Sequence, residues 1–108
     1  MTPTVLLCND LRVGALTDTY FTDDTWFATV CVSIPDDSAF ASRVRAFIAL
    51  CIDWHARIDT DPDASEFDAF DDVINDSRWS AVSDNGETEL IHLAPSFFPD
   101  GEVTWRPA

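Results

Sequence analysis

A chain of 108 residues with 46% apolar residues is long enough for one domain, residues 1–108, and too short for two. Its 20 acidic residues face six basic ones, all arginine, and the net charge of −14 repels nucleic acid and anionic membranes. Composition and charge therefore argue against direct nucleic-acid binding and against adsorption to an acidic lipid surface.

The N-terminal residues and the cysteines indicate a compartment. Met1 to Asp10 has no basic start and no small-residue cleavage site, and no apolar run approaches the roughly 20 residues of a membrane span. Cys8, Cys31 and Cys51 form no CxxC pair, and each lies among apolar residues. We expect three reduced, buried thiols in a soluble cytoplasmic protein.

The first third of the chain predicts β-strands. Thr4–Leu16 is rich in β-forming residues and predicts one long strand, or two short strands broken at Asn9-Asp10. Thr17–Thr25 is polar and predicts a connection. Trp26–Ile34 alternates apolar and polar residues, the pattern of a strand with two different faces.

A long helix is predicted over Asp37–Ile58. Its apolar residues recur at steps of three and four, as on one helical face: Phe40, Val44, Phe47, Ile48, Cys51, His55 and Ile58. Asp37 or Ser38 can accept from the free amides of the first turn. Further apolar residues widen this face, so we expect the helix to be covered on more than one side.

The acidic segment, defined here as residues 59–76, carries eight acids and no base, more than half of the net charge. Its first six residues have the composition of a loop. Ser65 then begins a predicted second helix, with Asp68 in the capping-box position, and the helix is expected to end near Asn75 to Ser77.

The C-terminal third predicts further strands joined by turns. Trp79–Ser83 and Thr88–Ala94 flank Asn85-Gly86, a strong hairpin signal. Phe97-Phe98 and Val103–Trp105 flank a second turn. The predicted fold is α+β: an antiparallel sheet of about five strands, in the chain order ββααβββ, with both helices on one face.

Two constellations could carry chemistry, and in both the residues favour a structural interpretation. Asp59, Asp61 and Asp63 match the first half of a calcium-binding loop, but Ala64 and Phe70 stand where a glycine and a bidentate glutamate belong. A solvated loop is the better interpretation. We predict no metal and no cofactor.

The second constellation is Cys51 with His55, one helical turn apart. The spacing suits a Cys–His dyad or half of a zinc site. Both residues fall on the apolar helix face, and the middle of a helix lacks the dipole that lowers a thiol pKa. Packing with a hydrogen-bonded histidine is favoured, and no catalytic residue is predicted.

The leading functional hypothesis is a non-enzymatic inhibitor that blocks the basic surface of a protein partner, such as a nuclease, a toxin or a nucleic-acid-binding complex. Immunity proteins against nuclease toxins act this way, and so do phage proteins that imitate DNA. The candidate partner-binding residues are the acids of the acidic segment with nearby loop acids and aromatic anchors: Asp59, Asp61, Asp63, Glu66, Asp68, Asp71, Asp72, Asp76, Asp23, Asp24, Tyr20, Phe21 and Phe98.

Two alternatives need no such partner. A protein adapted to concentrated salt also shows many aspartates and no lysine, so the acidity could report habitat alone. A small hydrolase or metal site around Cys51, His55 and the strand cysteines is the alternative from the enzyme class.

Overall fold

The computed structural model describes residues 2–108, and in this range the chain forms an α+β fold with one antiparallel sheet of seven strands. The strands are β1 (Pro3–Cys8), β2 (Leu11–Thr22), β3 (Thr25–Val32), β4 (Trp79–Ser83), β5 (Thr88–Leu90), β6 (Ser96–Phe97) and β7 (Glu102–Trp105). Their order across the sheet is β5-β4-β1-β2-β3-β7-β6. The predicted fold class and antiparallel sheet are confirmed, whereas the predicted number of five strands and the order ββααβββ are wrong.

The N-terminal strands differ from the prediction at two turns. The chain breaks at Asn9, which has a φ of 54°, so the alternative of two strands on either side of Asn9-Asp10 is correct. The predicted connection Thr17–Thr25 is wrong, because β2 continues to Thr22 through a bulge near Asp18. Aspartate tolerates the left-handed conformation, and β-forming residues lie between the acids of this stretch.

Close approach of β2 and β3 depends on one glycine. A Cβ atom on Gly14 would lie 2.3 Å from the carbonyl oxygen of Cys31, so no other residue fits without separating the strands. Cys31 itself is exposed, whereas Cys8 and Cys51 are buried, so the expectation of three buried thiols is wrong for Cys31. Its side chain lies on the polar face of β3, where strand alternation places it.

The two ends of the sheet are joined by backbone pairing beyond the named strands. Ile91 pairs with Pro107, and the amide of His92 donates to the carbonyl of Arg106 at 2.8 Å. The Ile91 amide also donates to the carbonyl of Trp79 in β4, at 2.9 Å. The end of β5 thus lies between β4 and the continuation of β7, and the sheet closes on itself.

The long helix α1 (Ala39–Ala56) lies within the predicted range. The Ser38 hydroxyl accepts from the amide of Ala41 at 3.1 Å, which confirms one of the two predicted caps. The buried side of the helix consists of Ala41, Val44, Phe47, Ile48 and Cys51, most of which join the same hydrophobic cluster as the sheet residues. Within residues 2–108, no helix is both long and apolar enough to cross a membrane.

The predicted second α-helix is wrong in type. After a short 3₁₀ turn (Ile58–Thr60), the chain forms a 3₁₀ helix (Ala64–Phe70) that leads into a single turn of α-helix, α2 (Asp71–Ile74). Phe67, Phe70 and Val73 are spaced by three, the repeat of a 3₁₀ helix, in which side chains at i and i+3 align. This strict spacing is the signal that could have distinguished the 3₁₀ helix from an α-helix.

Candidate partner-binding site

Along the 3₁₀ helix and α2, side chains three residues apart form rows that are either buried or exposed. Phe67, Phe70 and Val73 form an inner row, and the first two pack against Phe47 of α1 with ring centroids 6.3 and 6.0 Å away. Asp68 and Asp71 are also three residues apart and are both exposed. The apolar row therefore fixes the segment on the core while the acidic row faces solvent.

Two arginines, Arg43 in α1 and Arg57 just after it, bind two further acids of the segment, Asp72 and Glu66. The Arg43 guanidinium binds the Asp72 carboxylate, donates to the carbonyl of Ala69, and lies 4.7 Å from the centre of the Phe70 ring. This hydrogen bond holds the pKa of Asp72 below its usual range. The Arg43–Asp72 contact and the Arg57–Glu66 contact described next both lie on the surface, so they serve mainly to orient the acidic segment.

Arg57 makes the second attachment, just after α1 ends. Its guanidinium lies 2.9 Å from Glu66 and 2.9 Å from Asp53. Asp63 begins the 3₁₀ helix by accepting from the backbone amide of Ser65 at 2.9 Å, and this bond lowers the pKa of Asp63. Asp71 accepts from the side-chain amide of Asn75, so four of the eight acids in the segment have local structural partners.

The 16 aspartates of the chain differ in what they do locally. Four have positive φ angles and form turns: Asp18, Asp23, Asp24 and Asp61. Four accept a hydrogen bond from a backbone amide: Asp36, Asp63, Asp84 and Asp100. Three lie within 4.0 Å of an arginine: Asp37, Asp53 and Asp72. Among residues 2–108 this leaves Asp10, Asp59, Asp68, Asp71 and Asp76, and four of these five belong to the acidic segment.

An apolar pocket of about 250 Å³ lies beside the acidic segment. It is bounded by α1, by the 3₁₀ helix with α2, and by the stretch between β5 and β6; its lining residues are Phe47, Cys51, Trp54, His55, Phe67, Ile74, Leu93, Ala94, Pro95 and Ser96. Phe67 and Ile74 belong to both the pocket and the acidic segment. The apolar pocket therefore borders the segment that carries the exposed carboxylates.

The Cys51–His55 pair lies in the wall of this pocket, with both side chains engaged in local hydrogen bonds. His55 Nδ1 donates to the Cys51 carbonyl oxygen at 2.8 Å, and Cys51 Sγ accepts from the Phe97 amide at 3.2 Å. Burial raises the pKa of the Cys51 thiol, the opposite of what an activated nucleophile requires. This geometry suits packing with a hydrogen-bonded histidine.

The predicted aromatic anchors lie in two different places. Tyr20 and Phe21 are 54% and 48% exposed near the tip of the β2–β3 hairpin, where they contact Phe27 and Trp26, each with ring centroids 5.0 Å apart. Asp23 and Asp24 form the turn of that hairpin. These ring contacts stay within the sheet, and none joins the hairpin tip to the acidic segment.

Phe98 is a less exposed anchor than predicted. It is half-buried, and its ring lies 4.3 Å from that of His55, since the β6–β7 turn folds over the end of α1. The structure thus brings Phe98 against His55, a residue of the pocket wall. Tyr20, Phe21, Asp23 and Asp24 lie together at the hairpin tip.

The aspartates that resemble a calcium loop are not brought together as ligands. Asp61 adopts a left-handed conformation with a φ of 52°, and the Asp63 carboxylate is used as a helix cap. Within residues 2–108, no group of three or more His, Cys, Asp or Glu side chains has the arrangement of a metal site.

Trp54 and Leu93 are the pocket residues that sequence reasoning missed. Trp54 looks like part of the helix core, but it is only half-buried, and its Nε1 donates to the carbonyl of Asp63 at 3.4 Å. Leu93 is 51% exposed with a φ of 59°, an uncommon combination for a leucine. The signal for Leu93 is its position before Ala94-Pro95, which interrupts the strand pattern.

Comparisons of the chain with protein-family models, with curated proteins and with solved structures found no match.

Proposed function

We propose that this protein is a small, acidic, non-enzymatic inhibitor that binds and blocks a basic surface of a protein partner. The observation that carries the proposal is where the aspartates without a turn, a backbone cap or an arginine contact lie: four of these five belong to the acidic segment. Elsewhere in the chain an aspartate generally forms a turn, a cap or an ion pair. In the acidic segment Asp59, Asp68 and Asp76 have no such task, and Asp71 accepts only from the side-chain amide of its neighbour Asn75.

The way the segment is held supports this function. The apolar row and the contacts of Arg43 and Arg57 fix its backbone, so ordering the carboxylates costs little conformational entropy on binding. Eight acids and two arginines leave this surface with a net charge of −6. Such a surface competes with phosphates for arginine and lysine side chains.

The partner class follows from this chemistry. A protein that handles nucleic acid, such as a nuclease, a toxin or a nucleic-acid-binding complex, presents the basic surface that these carboxylates complement. Immunity proteins and phage proteins that imitate DNA are the models for such an inhibitor. The three free thiols agree with a reducing, cytoplasmic location.

The experiment compares two variants with the same change in charge. Asp59→Asn, Asp61→Asn, Asp68→Asn and Asp71→Asn neutralise the acidic segment and leave the Asp63 cap and the Asp72–Arg43 contact intact. In the control, Asp36→Asn, Asp84→Asn, Glu87→Gln and Asp100→Asn neutralise four acids elsewhere, and asparagine still accepts the backbone amides.

Both variants and the wild type are used to capture partners from native lysate. We expect the control to retain the partners of the wild type and the first variant to lose them. Recovery of the same partners by the first variant would exclude the acidic segment as the recognition surface.

Salt adaptation remains a second candidate, favoured by one specific observation. Asp18, Asp23 and Asp24 occupy left-handed positions where asparagine or glycine is preferred, so the chain uses aspartate even where its charge is not needed. Thermal unfolding against KCl concentration tests this alternative. A protein close to its maximal stability at low salt has no need of screening.

A further inference from the structure

The pocket beside the acidic segment has the size of a site for one side chain. A cavity of about 150 Å³ is enough to hold benzene, whereas pockets for drug-sized ligands span about 300–1,000 Å³. The volume of about 250 Å³ found here therefore suits one large apolar side chain. The three aromatic rings in its wall offer broad contact to such a group.

The polar groups in the wall are largely turned to internal partners. His55 Nδ1 binds the Cys51 carbonyl, Cys51 Sγ accepts from a backbone amide, and Trp54 Nε1 binds the carbonyl of Asp63. A polar guest would lose hydrogen bonds with water and gain few in return, whereas an apolar guest loses none. The pocket thus selects an apolar group.

The surroundings of the pocket select a positive charge next to that group. Phe67 of the pocket wall lies between Glu66 and Asp68 in the chain, and Ile74 lies one turn beyond Asp71. Glu66 is bound by Arg57, whereas Asp68 and Asp71 are exposed, so a chain that places an apolar side chain in the pocket would run beside the segment that carries these two carboxylates. Arginine or lysine is the complementary neighbour.

Leu93 at the pocket edge gives independent support. It combines a left-handed backbone, which is unfavourable for a residue other than glycine, with a side chain 51% exposed to water. Strained residues of this kind concentrate at binding sites, where a contact with the ligand offsets their cost. An apolar guest in the pocket would cover Leu93.

We propose that this pocket receives a large apolar side chain of the partner, such as Phe, Leu or Met, that is flanked in the partner's sequence by Arg or Lys. The inference rests on the proposed function and adds to it the apolar group at the centre of the interface. Protein interfaces take most of their affinity from a few residues buried in well-packed pockets near the centre of the interface.

The test uses three synthetic peptides at low salt: Gly-Arg-Arg-Phe-Arg-Arg-Gly, the same peptide with Ala for Phe, and Gly-Asp-Asp-Phe-Asp-Asp-Gly. Binding is followed by NMR titration, with the indole resonance of Trp54 assigned through Trp54→Phe. We expect the Phe peptide with arginines to bind at least tenfold more tightly than the Ala peptide, because only phenylalanine buries a large apolar surface. Of the three peptides, only the Phe peptide with arginines should shift the Trp54 resonance.

Matched variants locate the binding site. Ala94→Phe fills the pocket, and Ala49→Phe adds the same side chain at an exposed position of α1, outside both the pocket and the acidic segment. Leu93→Asn suits the left-handed backbone and removes the apolar pocket edge, with Leu90→Asn as its exposed control. Ala94→Phe should reduce binding of the Phe peptide at least tenfold and Leu93→Asn by a few-fold, while both controls bind like the wild type.

Several results would overturn the inference. Equal binding of the Phe and Ala peptides would show that charge alone is recognised. If the acidic Phe peptide bound as tightly as the arginine-flanked Phe peptide, the flanking charges would play no part in recognition. If toluene displaced the arginine-flanked peptide and bound equally well, the pocket would be assigned to small apolar molecules. If Ala94→Phe and Leu93→Asn both left the Phe peptide unaffected, the pocket would not be the site.

These results are distinguishable from failure of the proposed function. That function fails when neutralising the acidic segment leaves partner capture unchanged. The pocket inference fails when the neutralised variant loses the partner but Ala94→Phe and Leu93→Asn retain it.

Discussion

The acidic segment and the β2–β3 hairpin tip both combine aspartates with aromatic residues, but the two residue types serve different purposes in each. In the hairpin tip, Asp23 and Asp24 form the turn, and Tyr20 and Phe21 pack across the strand pair. In the acidic segment the aromatic rings anchor the backbone to α1, and the carboxylates of Asp59, Asp68 and Asp76 have no local hydrogen-bond or arginine partner. A high acid count therefore becomes informative only after the structural aspartates are set aside.

The largest effect should come from removing the anchor of the acidic segment. The Phe47 ring contacts Phe67 and Phe70 on one side and Trp79 and Phe97 on the other, with centroids 6.0–6.4 Å away. Phe47→Ala should lower the free energy of unfolding by about 3–5 kcal/mol, since it empties a buried site.

Tyr20→Ala is the control on the hairpin tip. Tyr20 is 54% exposed, and its stacking on Phe27 accounts for about 0.5–1.5 kcal/mol at most. Urea unfolding followed by tryptophan fluorescence measures both variants. A similar fall in the free energy of unfolding in both variants would contradict the view that the acidic segment is anchored to the core while the hairpin tip lies on the surface.

The second prediction concerns association rates with a partner recovered by capture. If the acidic segment steers the approach, raising salt from about 0.01 M to about 0.15 M should slow association at least tenfold, because the screening length falls from about 30 Å to about 8 Å. Asp68→Asn with Asp71→Asn should cause part of this loss at constant low salt.

Asp23→Asn with Asp24→Asn is the charge-matched control on the hairpin tip. Stopped-flow measurement of all three proteins separates the two surfaces. An equal slowing by the hairpin variant would mean that the whole acidic surface steers the partner and that the acidic segment has no special part.

A smaller effect is expected from the turn itself. Asp23 and Asp24 have φ angles of 51° and 58°, the conformation of a two-residue hairpin turn that prefers Asn-Gly. Asp23→Asn with Asp24→Gly should stabilise the protein by about 0.5–1 kcal/mol. Asp68→Gly, within the 3₁₀ helix, should destabilise it by a similar amount, because glycine loses more backbone entropy there. Thermal unfolding would contradict this prediction if both changes had the same sign.

The smallest effect is a difference in acid stability. The Arg43 hydrogen bond depresses the pKa of Asp72 from its ordinary 3.8, so the stabilisation that it gives is present above that value. The stabilisation is lost as pH falls through the depressed pKa. Wild type and Asp72→Asn should therefore differ in urea midpoint at about pH 6 and converge at about pH 2; a constant difference would contradict the prediction.

The sequence predicted well those elements whose signals are local. Alternation located β3, the three–four spacing located α1 and its Ser38 cap, and Asn85-Gly86 located the turn between β4 and β5. These features depend on neighbours within a few residues, so a single chain is enough to recognise them.

The sequence predicted poorly what depends on distant contacts. The 3₁₀ helix exists because Phe67, Phe70 and Val73 pack as a row. Two acids of the segment, Asp72 and Glu66, are bound by Arg43 in α1 and by Arg57 just after it. The pocket needs α1, the 3₁₀ helix and the Leu93–Ser96 stretch together. No short-range pattern reports such an assembly, so the sequence predicts aromatic anchors at Tyr20, Phe21 and Phe98, which lie beside loops.

Closure of the sheet through Ile91 and Pro107 also bears on how copies of this protein could misassemble. Unpaired strand edges are the templates for intermolecular β-pairing, and the joined ends hide the edges that an open sheet would present. Within residues 2–108, Tyr20–Thr22 of the long hairpin is an exposed stretch for which the structure describes no strand partner on the side away from β3. The bulge near Asp18 and the charges of Asp23-Asp24 flank this edge, and aggregation of the folded protein should begin there when those charges are neutralised.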